Sequence, residues 1–315
     1  MYRVDVEKKW IGGHQPILDF HTGVIAKIWT IWKKNGIIVF HDLDTLEEKG
    51  SISLKIPINQ KDFKHFSLLE TIPSKKKLFT IGPVKVKKEF REELLAFLIS
   101  LAAGEIPRHH LEDVKERIIK LQSIFGGREF RTIAHLNRDL LWFILPRLGV
   151  WVRPSWMLSE LLLKNERWKR GLRQTVALMK KFSPKSPPFW RWDKENFQRH
   201  PITNWKEAEK LLLKGELIPR RLALSCLLRC VGAKGVVRGP GQERYETEFL
   251  KRLHYYLGPK FPSVITVASQ QGVPPIWRKK SPETFRPSAL LLWLMGGQFE
   301  PRGVYIKSQG EKEKF

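Results

Sequence analysis

Cysteine is almost absent: Cys226 and Cys230 are the two in 315 residues. That excludes a disulfide scaffold and is too few alone for a four-cysteine zinc site. Acidic side chains are scarce beside basic ones, 32 Asp and Glu against 57 Lys and Arg, a formal charge of +25 with a sequence pI near 10.1. Long apolar runs are missing too. The most apolar long stretch, Leu140 to Leu163, is interrupted by Arg147, Arg153 and Glu160, with Pro146 and Pro154 between them. A membrane span needs about 20 uninterrupted apolar residues, so this stretch reads as buried helix. Residues Met1 to Trp10 mix Asp5 and Glu7 with Arg3, Lys8 and Lys9, which is no signal peptide. The chain shows no heptads, no repeat of fixed period, no P-loop, no Gly-x-Ser-x-Gly elbow and no dinucleotide fingerprint. The expectation is a soluble, cytoplasmic protein without a membrane span.

What is present is apolar mass and positive charge. A hydrophobic fraction of 42% with 12 Trp and 18 Phe supplies a sizeable core and excludes a wholly disordered chain. The length suits two domains or one large one. The surplus of cations attracts polyanions, nucleic acids first and anionic membrane surfaces second.

The first 87 residues read as β-rich. Val24 to Lys34 carries Ile25, Ile28, Trp29, Ile31 and Trp32, and Asn35-Gly36 separates it from Ile37 to Phe40. Asn-Gly between two such runs predicts a hairpin, because both central turn residues need positive φ. Leu46 to Gly50 reads as a second turn, Ser51 to Ile56 as a third strand and Leu78 to Ile81 as a further one. From Val86 the apolar period becomes helical. Helices are expected over Phe90 to Leu101, Leu111 to Phe125, Phe130 to Leu145, Ser155 to Lys164, Glu166 to Lys181, Trp205 to Lys214, Pro219 to Cys230, Glu243 to Leu257 and Ser288 to Met295. A proline-rich joint lies at Ser183 to Pro188, a loop at Gly232 to Gly241 and a short strand at Val264 to Ala268. The predicted class is α+β: an antiparallel β-rich N-terminal part (1–87) and a larger, mainly α-helical basic part (88–307, with a joint at 183–203), then a flexible tail (308–315).

The segment Lys164 to Lys194 is the most informative for function. It concentrates Lys169, Arg170, Arg173, Lys180, Lys181 and Arg191, interleaved with Trp168, Phe182, Phe189, Trp190 and Trp192. Cations hold a phosphate backbone through counterion release, and exposed aromatic faces stack unpaired bases. Against this stands a structural reading in which the tryptophans are core and the lysines a solvated helix face. A second basic set comprises Arg220, Arg221, Lys234 and Arg238 around the Gly232 to Gly241 loop, whose glycines would let backbone N–H groups approach an anion. Gly232 to Gly235 has the G-x-x-G form of the nucleotide-clamping loop of KH modules, but Arg238 stands where that module wants an apolar residue. Two weak helix-turn-helix patterns, at Arg128 to Leu148 and at Ile218 to Leu257, add helix pairs near basic residues.

Enzymatic chemistry has one candidate. Ile37 to Leu46 delivers Asp42 and Asp44 after an apolar run, with Glu47 nearby, and hard oxygen ligands of this kind hold Mg²⁺. The stretch resembles, in broken form, the aspartate motif of HAD-type phosphatases. It lacks the spacer before Thr45, inserts His41 and has no later paired-Asp motif, and the Asn-Gly hairpin argues against the βαβ setting which that family needs. The family is therefore rejected.

The primary expectation is a nucleic-acid-binding protein, leaning away from catalysis and needing no cofactor. Its partners would be DNA or RNA together with other protein subunits, as in a ribonucleoprotein, mobile-element or replication complex. Lys169, Arg170, Arg173, Lys180, Lys181, Arg191, Arg220, Arg221, Lys234 and Arg238 are the backbone candidates, and Trp190 and Trp192 the stacking ones. The alternatives are a Mg²⁺-dependent nuclease or phosphotransferase using Asp42, Asp44 and Glu47, and a protein–protein assembly factor.

Overall fold

The architecture comes from a computed structural model, which describes residues 9–14, 20–42, 53–69, 84–89, 92–96, 108–151, 155–183, 185–193, 198–243, 263–269, 287–301, 304–308 and 311–314. The expected turn at Leu46 to Gly50 and strand at Leu78 to Ile81 lie outside these residues, as does nearly all of the Glu243 to Leu257 helix.

The chain begins with strand β1 (Trp10–His14), helix α1 (Thr22–Lys33) and strand β2 (Ile37–Phe40), and β2 lies parallel to β1 with Ile11 opposite Ile37. The stretch expected to be the first arm of a hairpin is therefore a helix. His21 caps it, its Nδ1 accepting from the Gly23 N–H at 3.1 Å. At the other end Asn35 takes φ 54°, and the Gly36 N–H closes back on the Ile31 carbonyl at 2.8 Å. Asn-Gly thus ends a helix instead of joining two strands. The composition misled for a physical reason: α1 is buried on nearly every side, from Val24 through Ile31. A helix without a solvated face displays no 3.6-residue polar rhythm, so its β-branched content reads as strand.

Among the described residues the main sheet has seven strands, in the order Glu311–Lys314 (β14), Val304–Ser308 (β13), Ser263–Ser269 (β12), Gly235–Arg238 (β11), β1, β2 and Ser155–Met157 (β7). From β12 through β11, β1 and β2 to β7 every pairing is parallel, while β13 and β14 add antiparallel strands at one edge. The expected antiparallel β-rich N-terminal part does not exist in that form. Strands from both sides of residue 87 share one mostly parallel sheet in a mixed helix-and-strand fold. Among the described residues, β3 (Ser53–Pro57), within the stretch expected as a strand, pairs antiparallel with β4 (Phe63–Ser67), and the two-residue strands β5 (Val84–Lys85) and β6 (Glu129–Phe130) also pair antiparallel.

Period-two alternation sends the sheet's side chains to two cores. Ile38, Phe40, Val237, Ile265 and Val267 enter the first, with α1, the β3/β4 hairpin, α2 (Arg108–Phe125), α3 (Ile133–Ile144) and the short helix Ala289–Leu294. Ile11, Ile37, Val39, Val236 and Val264 enter the second. That core is covered by α4 (Leu158–Lys164), α5 (Glu166–Phe182), α6 (Trp205–Lys214) and α7 (Arg221–Cys230). A small antiparallel sheet borders it, in the order β10 (Leu217–Pro219), β8 (Phe189–Asp193), β9 (Gln198–Pro201). The two buried faces explain why the parallel strands are largely apolar at their centres instead of alternating. Among the described residues no helix is long and apolar enough to cross a membrane.

Two substitutions test this packing. A β-carbon at Gly36 would sit 2.4 Å from the Trp10 carbonyl oxygen, and backbone cannot yield as a side-chain tip can. Gly36→Ala is expected to cost about 1–3 kcal/mol in urea unfolding, and a neutral result would refute the tight α1–β2 turn. Trp168, fully buried in the second core, should cost about 3–5 kcal/mol as Trp168→Ala, an outcome foreign to an exposed stacking platform.

Candidate nucleic-acid interface

Helix α5 starts where Asn165 accepts hydrogen bonds from the N–H groups of Arg167 and Trp168, at 3.0 and 3.4 Å. Its inner face, Trp168, Leu172, Thr175, Val176 and Met179, is buried. Gly171 is also buried, and a β-carbon there would meet Val231 Cγ1 at 2.8 Å, so the glycine sets how closely α7 approaches. The outer face carries exposed Arg170, Arg173, Lys180 and Lys181, with Lys169 half-buried beside them. Lys169 pairs with Glu166 at 2.7 Å, Arg173 reaches the same carboxylate at 4.0 Å, and Lys180 pairs with Glu209 at 2.7 Å. The Lys169 ammonium, first of all, holds the Glu166 carboxyl below its ordinary range. Arg170 and Lys181 have no ion-pair partner among the described residues.

Three of the residues singled out in the sequence come together. Lys169 and Arg173 from α5 and Trp192 from β8 line one groove of about 530 Å³, with Leu162 and Leu163 of α4, Leu212 to Lys214 of α6, and Gly215 to Ile218 running into β10. Leu163 is 55% exposed and Leu213 89% exposed. This apolar rim was not foreseen, although a signal existed. Helices α4 and α6 both end in Leu-Leu-Leu-Lys, at Leu161 to Lys164 and at Leu211 to Lys214. At 100° per residue three consecutive leucines cannot share one buried face. Leu161 and Leu211 enter the core, and the third leucine of each run is left in solvent.

The remaining candidates are dispersed. Trp190 is half-buried under the protein's own cations, with the Arg220 guanidinium 3.7 Å and the Arg199 guanidinium 4.6 Å from its ring centroid. Arg191, between the two tryptophans on β8, is exposed. Arg220 precedes α7 and Arg221 is that helix's first residue. The expected loop at Gly232 to Gly241 contains β11, a central strand of the main sheet, because Val236 and Val237 are buried one in each core. Lys234 is exposed before that strand, whereas Arg238 ends it, buried, its Nε donating to Thr266 Oγ1 at 3.0 Å and its guanidinium 3.6 Å from Glu243. The same strand interrupts the helix-turn-helix pattern from Ile218 onward.

Asp42 follows β2 and is 3% exposed, accepting from the Ser159 N–H at 3.0 Å and from the Ser159 hydroxyl. Desolvation by burial raises its pKa from 3.8 to about 6, against the lowering effect of those bonds. Asp44 and Glu47 lie outside the described residues, among which no group of three or more His, Cys, Asp and Glu could hold a metal. The parallel β1–α1–β2 unit removes the hairpin argument used against the HAD-type motif, while the other departures from that motif stand. The thiols of Cys226 and Cys230 lie 3.9 Å apart on α7. No protein-family model matches the chain, and no curated protein matches it.

The folded protein binds the Asp42 proton more tightly than the unfolded chain does between pH 3.8 and about 6. Asp42 therefore subtracts stability as pH rises through that window, to a cost of about 3 kcal/mol at neutral pH. Asp42→Asn should remove this dependence, so that urea midpoints of variant and wild type separate with rising pH and the variant is the more stable at pH 7. Parallel profiles would show that the carboxyl is not desolvated as described.

Proposed function

We propose that the protein binds nucleic acid, DNA or RNA, with the outer face of α5 on the phosphate backbone and the Trp192 groove receiving an unstacked base. The observation that carries this reading is the convergence of Lys169, Arg173 and Trp192 on one groove. Its volume falls in the range of pockets for small aromatic ligands, of order 300–1,000 Å³. Its leucines supply an apolar seat for a base, Trp192 an aromatic wall, and the two cations a place for the adjoining phosphates. Arg170, Lys181 and Arg191 extend the positive surface on either side, and the charge of +25 supplies long-range attraction. Trp190, already covered by Arg199 and Arg220, serves to stiffen β8 beside the groove.

The test is binding to single- and double-stranded DNA and RNA over a salt series. Affinity should fall linearly in the logarithm of salt concentration, and the double variant Lys169→Ala/Arg173→Ala should flatten that slope by about 2. Trp192→Ala should cost about 1–3 kcal/mol on single strands and little on duplexes. Salt-insensitive binding, or variants indistinguishable from wild type on every polymer, would overturn the proposal.

A further inference from the structure

In parallel α/β sheets ligands settle outside the carboxyl ends of the strands, where the chain's winding changes direction. Here β1 is followed outward by β2 and β7 on one side and by β11 and β12 on the other, so that place is the carboxyl end of β1 beside β11. The sequence puts an unusual set of side chains around it. His14 is the last residue of β1, His41 directly follows β2, His21 caps α1, and Lys27 lies in the second turn of α1. They are close together: Lys27 Nζ donates to the Gly13 carbonyl at 2.6 Å, and the His41 N–H donates to the His14 carbonyl at 2.9 Å. The His41 ring fills the space where Gly13 lacks a side chain, 2.1 Å from the position a β-carbon would take.

The anomaly is Lys27. It is 7% exposed, and its ammonium, with three protons to donate, meets one backbone carbonyl and no carboxylate among the described residues. Asp42, next after His41, is held by Ser159. A second group is left over beside it: His14 Nε2 is buried with no hydrogen-bond partner among the described residues. Burial drives the Lys27 pKa down to about 8, and burial with the Lys27 charge keeps His14 and His41 neutral. A buried cation without a counter-charge is among the most expensive features a fold can carry, and methionine would fill the same volume without that cost. The first amides of α1 are consumed by His21, so they add no anion site of their own.

We propose that the carboxyl end of β1 binds a small phosphate-bearing ligand, whose phosphate takes the free protons of Lys27 and a hydrogen bond with His14. A dianionic phosphate matches the need: it brings the missing negative charge and several acceptors to donors held in place. Lys27 and His41 are too enclosed for a polymer strand to reach, so the ligand is a small free phosphate compound and the site is separate from the α5 groove.

The experiment measures binding of inorganic phosphate, AMP, ADP and a short DNA strand to the full chain by calorimetry. It is run at high KCl, which suppresses contacts with exposed cations. Saturable binding of phosphate or a nucleotide is expected, weakened at least tenfold in Lys27→Met and retained in Lys27→Arg. Lys169→Ala/Arg173→Ala should leave it unchanged, which separates this site from the groove. On the wild type alone, the NMR titration of the Lys27 ε-carbon should move to higher pH on adding phosphate, a readout that survives if the variants fail to fold. No binding at millimolar ligand, equal binding by wild type and Lys27→Met, or an unmoved Lys27 titration would each overturn the proposal.

Discussion

The rest of the structure hangs on the burial of α1. A helix with Val24, Ile25, Ile28, Trp29 and Ile31 turned inward on successive sides must be covered by more than the sheet it crosses. It lies on β1, β2, β11 and β12, and its apolar side chains share one core with the β3/β4 hairpin and the helices α2 and α3. The described residues between β2 and β7 therefore contribute to the first core, through Leu54, Phe66, Ile118 and Leu140 among others. The two glycines of β1 serve the same packing. Gly12 leaves room for Ile31 of α1 on one face of the strand, and Gly13 leaves room for His41 on the other. A side chain at either position would have to displace the Ile31 or the His41 side chain.

The second core imposes a different constraint. Helices α4 and α6 each present three leucines in succession, and the geometry of a helix lets the core take only part of such a run. The surplus leucines meet across a gap between α4, α5, α6 and β10, and the gap is the groove. The groove thus comes from a local excess of apolar residues at two helix ends, and the cations of α5 border it because that helix spends its opposite face on Trp168, Leu172, Val176 and Met179. Such a combination of a greasy floor and positively charged walls is rare on the surface of a freely soluble monomer, where exposed apolar patches tend to have a use.

Legibility from the sequence divided along physical lines. The helices with a solvated face, α2, α3, α5 and α6, were marked by their own periodicity and lie close to where the spacing puts them. Residues buried on all sides gave no such rhythm: α1 imitated a strand, and β11 imitated a glycine loop because it opens on Gly235 and is flanked by Gly232, Gly239 and Gly241. Parallel pairing was invisible, since the partners of β1 are residues 37–40 and 235–237, brought together by crossovers whose lengths leave no local trace. For the candidate groove, charge and aromatics identified Lys169, Arg173 and Trp192, yet the burial of Arg238 and the covering of Trp190 by Arg199 and Arg220 depend on contacts far apart in sequence.

The two borders of the main sheet carry a consequence for how copies of the chain meet. One border is β7, three residues long, which offers few free amides and carbonyls to a neighbour. The other is β14, whose four residues alternate Glu and Lys, from Glu311 to Lys314. A stub and a charged ribbon are poor templates for strand addition, so a sheet that is apolar through its interior ends in borders that resist fibrillar growth.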